Sequence, residues 1–68
     1  MEKHLFIVRS PLGKEIYSAE LPINSRLIPF AQTLMDVVSH DFPHETVECC
    51  EIWERTAHRS MTLLATAF

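Results

Sequence analysis

The spacing of apolar residues changes along the chain from strand-like to helix-like after the first third. Residues 4–9 (His-Leu-Phe-Ile-Val-Arg) are apolar on both alternating sets, Phe6 and Val8 on one and Leu5 and Ile7 on the other. A short apolar run bounded by turn residues predicts a strand covered on both sides. Ser10-Pro11-Leu12-Gly13 comes next. Proline presets φ for the second position of a type I turn, and Gly13 can take the left-handed conformation that closes a bulged hairpin. Residues 15–21 (Glu-Ile-Tyr-Ser-Ala-Glu-Leu) then predict the returning strand. On this outer strand Tyr17 is expected to lay its ring on the sheet and keep its hydroxyl in water.

Pro22 ends that strand, and Asn24 or Ser25 is the expected cap of a following helix. Pro29 is tolerated because it falls in or near the first turn, where helix N–H groups lack partners anyway. Leu27, Phe30, Ala31, Leu34, Val37 and Val38 recur at helical spacing and form one apolar stripe to about His40. Met35 and Met61 are further core candidates. Helical propensity is middling, so packing on the sheet must hold the stripe in place. Asp41-Phe42-Pro43 breaks the helix.

The last third supports two readings. As a helix, Cys49, Cys50, Trp53, Ala57, Met61, Leu64 and Phe68 share a face. As a hairpin, Val47–Glu54 pairs with Met61–Phe68 around Thr56-Ala57-His58-Arg59, with Ile52 beside Leu63 and Cys50 near Ala65. A helix of that length would run on the order of 35 Å, long for so small a domain. Val, Cys, Ile, Trp and Thr favour strands, although no Gly or Asn marks the turn. The hairpin is therefore preferred. The expected fold is α+β: a four-stranded antiparallel sheet with one helix packed on one face, in the order β-β-α-β-β. The alternative is a β-hairpin followed by two helices.

That arrangement leaves apolar residues on the face the helix does not cover. On the second face of the last hairpin the alternation places Val47, Cys49, Trp53, Leu64 and Phe68. An uncovered patch of this kind is more than monomers usually expose, and a second copy is the common remedy. These five residues are the expected dimer or partner interface. Length leads to the same expectation, because 68 residues form one small domain, 1–68, with a core that gains from extra support.

Composition adds limits. The hydrophobic fraction of 47% and charged fraction of 22% are ordinary globular usage. The cysteines, Cys49 and Cys50, are adjacent and form no disulfide framework, so a reducing, cytoplasmic setting is expected. The apolar run before Arg9 is too short for a signal-peptide core or a membrane span. Net charge is -3. Asp36, Asp41, Glu45, Glu48, Glu51 and Glu54 occupy residues 36–54 without an intervening Lys or Arg. No basic stripe exists for phosphate, so a nucleic-acid partner is not expected. Glu48, Glu51 and Glu54 are an acidic surface that a basic partner would meet; solvated carboxylates are the plainer account.

Candidate chemistry is sparse. His40, His44, Cys49 and Cys50 offer the nitrogen and sulfur donors zinc prefers. However, Phe42 and Pro43 interrupt the histidine pair, and adjacent cysteines on a strand point to opposite faces. No metal or cofactor is expected. A cysteine nucleophile needs a nearby cation, whereas the chain neighbours here are Glu48 and Glu51; His58 lies several residues out of register. Glu48, Glu51 and Glu54 lack the sugar cleft that paired-carboxylate chemistry requires, and Gly13 alone makes no phosphate loop. The expected function is a non-catalytic protein-interaction or regulatory accessory module acting as a homodimer. Trp53 is its candidate anchor or, equally, a packed core aromatic. The alternatives are a metal- or redox-responsive regulator using the His/Cys cluster and, last, a small enzyme.

Overall fold

The computed structural model describes residues 3–22, 26–57 and 59–68. Its elements are β1 (His4–Arg9), β2 (Glu15–Leu21), α1 (Leu27–Asp41), β3 (Cys49–Ala57) and β4 (Ser60–Ala67). All strand pairs are antiparallel, and the sheet order is β2-β1-β3-β4. The fold is thus the expected α+β arrangement. Residues 49–67 form a hairpin, not a second helix.

The first hairpin closes through local chemistry. Gly13 has φ +86, and its N–H donates to the Ser10 carbonyl at 2.9 Å. The Ser10 hydroxyl accepts the Lys14 N–H at 3.1 Å, and Ser10 N–H donates to the Lys14 carbonyl at 2.9 Å. The register then shifts between Val8 and Arg9, as a bulged closure requires.

The helix spans the expected stripe with one change. Ala31, Met35 and Val38 are buried, whereas Val37 is 50% exposed. Positions 31, 35 and 38 line one helical face at i, i+4, i+7, and Val37 lies to its side. Asn24 and Ser25, the expected caps, fall outside the described residues. Arg26, which directly precedes the helix, makes no side-chain cap bond. The helix stops at Phe42, whose N–H donates to the Val38 carbonyl at 2.9 Å, and Pro43 prevents continuation.

The core lies between α1 and the two central strands. Phe6, Val8, Cys50 and Ile52 are fully buried, with Phe6 opposite Ile52 and Val8 opposite Cys50 in the register. Phe6 meets Phe30 edge to face, with ring centroids 5.2 Å apart. Val47 also packs against this cluster, which corrects its expected place on the second face. β3 begins only at Cys49, so the strand alternation expected from residue 47 does not reach it. His4 is buried on the same side, and its Nδ1 finds no hydrogen-bond partner among the described residues.

The second hairpin is shifted from expectation. Ile52 pairs with Ala65 and Cys50 with Ala67, because the strands continue to Ala57 and Ser60 around a tighter turn. Two irregularities offset each other: the register skips Thr56 on β3 and Leu64 on β4.

Ile52→Ala should cost about 2–5 kcal/mol in a denaturant melt, since it empties a site at the centre of the core. Leu12→Ala at the exposed hairpin tip should stay within about 0.5 kcal/mol; equal effects of the two would contradict this placement of the core.

Candidate functional site

The sheet face away from α1 is built by the odd-numbered residues of β1 and β3. The register sets Leu5 opposite Trp53, Ile7 opposite Glu51 and Arg9 opposite Cys49. On the flanking strands, Glu20 and Ser18 lie opposite Leu5 and Ile7. Leu63 lies opposite Trp53, and Met61 opposite Arg55. Paired residues share a face, so Leu5, Trp53 and Leu63 form an apolar row across three strands.

Charged groups bound this row. Arg9 Nε donates to Glu51 Oε1 at 2.9 Å, and Trp53 Nε1 donates to the same oxygen at 3.1 Å. One carboxylate therefore orients both a guanidinium and the indole. Beyond Trp53, Arg55 Nη2 reaches Glu20 Oε1 at 3.5 Å. Such part-exposed pairs contribute about 0–1 kcal/mol each, so their main effect here is to hold side chains in position. Ile7 remains only 8% exposed although no helix lies over it. Its direct neighbours across the strands on that face are Glu51 and Ser18.

The thiols lie on opposite sides of β3, Cys50 in the core and Cys49 half-buried beside Arg9. Burial pushes the Cys50 thiol up to about 11, with Cys49 and Glu51 adding to it and a backbone hydrogen bond from Ile7 opposing. Burial, Glu51 and Glu48 also raise Cys49, against Arg9. Raised thiols are poor nucleophiles at neutral pH. His40 lies in the last turn of the helix and His44 in the next loop, both exposed. Among the described residues no group of three or more His, Cys, Asp or Glu is placed to hold a metal ion. His58 lies outside the described residues.

The residues expected at an interface separate. Cys49 and Trp53 share the open face. Val47 is on the helix side. Leu64 is the extra residue of the β4 bulge, 44% exposed, and Phe68 just beyond β4 is 79% exposed. Phe68 lines an open groove of about 320 Å³ with Gln32, Met35, Asp36, Val47 and Glu48. The carboxylates separate too: Glu51 is on the open face, Glu54 opposite His4 on the other, and Glu48 by that groove. Arg9, Leu5, Ile7 and Leu63 belong to the open face and were not anticipated as site residues. The parity of β1 already placed Leu5 and Ile7 there; Arg9 needed the strand pairing.

The fold and site define a two-layer α+β domain with one bare sheet face. Among the described residues no helix is long and apolar enough to cross a membrane. No family model, curated protein or solved structure matches the chain.

Cys50 holds its proton more tightly folded than unfolded, so it adds stability below its ordinary value of 9.0 that is lost as pH climbs toward about 11. Mass-resolved alkylation at neutral pH should label Cys49 first and Cys50 only once denaturant is added; simultaneous labelling would contradict the placement. Glu51→Ala should red-shift Trp53 emission by freeing the indole, with a stability change of about 1 kcal/mol or less; an unmoved spectrum would show that the carboxylate does not orient the ring.

Proposed function

We propose that this chain is a non-catalytic protein-interaction module, an accessory or regulatory domain that acts as a homodimer and binds a protein partner on its open sheet face. The observation that supports it is Trp53, held by Glu51 within the apolar row Leu5–Trp53–Leu63 on a sheet face with no second layer. An aromatic fixed in advance loses little freedom on binding, and tryptophan is enriched among residues that dominate interface energy. The flanking pairs Arg9–Glu51 and Arg55–Glu20 form a polar rim around the apolar row. The acidic contribution to this surface comes from Glu51 and Glu20, while Glu48 and Glu54 serve the other side. Raised thiols and scattered imidazoles favour recognition over catalysis.

The test is an affinity capture from host lysate with wild type beside Trp53→Ala, each checked for fold by circular dichroism. A captured protein should bind the variant at least about 30-fold more weakly, the loss of a hot-spot residue. Unchanged capture would remove Trp53 from the site. Light scattering of the wild type should give a mass that climbs from one subunit toward two as concentration rises through and above the micromolar range, and a monomer throughout would reject the homodimer.

A further inference from the structure

The sheet has two outer strands, and they differ in chemistry. β2 carries Glu15 and Glu20 and is followed by Pro22. β4, Ser-Met-Thr-Leu-Leu-Ala-Thr-Ala, contains neither a charge nor a proline. Outer strands present a row of unpaired backbone groups, and charged residues, proline and bulges are the common means of keeping other strands away. β4 has only its bulge at Leu64. Exposed apolar side chains also concentrate there: Leu63, Leu64 and Phe68 are 45%, 44% and 79% exposed. The other large exposed apolar residues are dispersed over the hairpin tip, β2, the helix and the residue after it.

We infer that two copies of this chain join edge to edge through β4, antiparallel about a two-fold axis between Leu63 and Leu64, making one continuous eight-stranded sheet from two four-stranded ones. The inference rests on the homodimer reading above and assigns its surface. An antiparallel pair of identical strands is self-complementary, since each N–H and C=O set meets its own copy under the two-fold. Full overlap of Ser60–Ala67 puts the midpoint of the strand at Leu63–Leu64, so the exposed leucines of both copies meet at the axis. An uncharged strand brings no like charges together there, whereas β2 would add Glu15 and Glu20 to the joint. The missing charge also argues for a second copy over a foreign extended segment, because β4 offers no ionic group with which to select one. The joined sheet would place the two rows of Leu5, Trp53 and Leu63 side by side on one surface. A strand-edge joint is small beside the about 1,200–2,000 Å² of standard interfaces, so a dimer of micromolar strength is expected.

The experiment compares sedimentation of wild type, Thr62→Lys, Leu64→Lys and, on the opposite edge, Ser18→Lys. All three positions are exposed in the single chain. The β4 variants should weaken dimerisation at least tenfold and Ser18→Lys should leave it unchanged. A dimer that survives both β4 substitutions with the wild-type constant would place the joint elsewhere and leave the homodimer reading standing. A wild type that is monomeric throughout would overturn both. Hydrogen exchange on the wild type gives an independent readout should a variant fold poorly: protection of β4 amides should rise with protein concentration. Concentration-independent exchange in β4, or protection that follows only a co-purifying foreign segment, would overturn the joint.

Discussion

A single helix can shelter one face of a sheet, and the arrangement of this chain follows from that limit. Antiparallel strands alternate their side chains, so β1 and β3, at the centre of the sheet, must assign each residue to the helix or to the bare face. Phe6, Val8, Cys50 and Ile52 go beneath the helix and meet Ala31, Met35 and Val38. Fully burying each large apolar side chain is worth roughly 1.5–3 kcal/mol, so this small layer supplies most of what drives the chain to fold. The crossover of α1 from β2 to β3 places the third strand beside the first. That pairing positions the core and also assembles the opposite surface.

On the bare face the same alternation has the reverse effect. Residues next to the core in sequence are turned outward, and the face covers itself with side chains in place of a second layer. Glu51 is central to this, since one of its oxygens accepts from both Arg9 and Trp53. The indole is hydrogen-bonded to that carboxylate, and Ile7 is buried with no helix over it. A face organised in this way leaves less loose apolar surface than its composition suggests, but it presents a fixed aromatic within a polar rim. Those are the features on which the proposed recognition role rests. The thiols agree with that reading, because burial and neighbouring carboxylates keep them protonated.

The exposed apolar surplus sits at the margin of the sheet. In β4 the skipped residue Leu64 leaves two adjacent leucines exposed on an uncharged strand. The second irregularity, at Thr56, restores the register near the turn, so the hairpin keeps Ile52 and Cys50 opposite alanines under the helix. The β4 residues on the helix side, Ala65 and Ala67, are small, and the leucines of the strand are exposed.

Local chemistry was legible in the residues themselves. The 4–9 and 15–21 strands, the Gly13 turn and the helix end at Phe42–Pro43 depend on contacts a few residues apart, and the structure reproduces them. The hairpin reading of the last third also followed from strand propensity and length. Three things required the tertiary structure. The sheet order put β1 beside β3, joining Arg9 to Glu51 across 42 residues of sequence. The register of the last hairpin shifted by two, since a tighter turn and a bulge leave no mark in alternation alone. Val47 moved to the helix side because β3 starts after it, where the rule of alternate faces does not apply. Periodicity reports which residues share a face within one element; which elements meet, and where each pairing begins, depends on packing that no single segment contains.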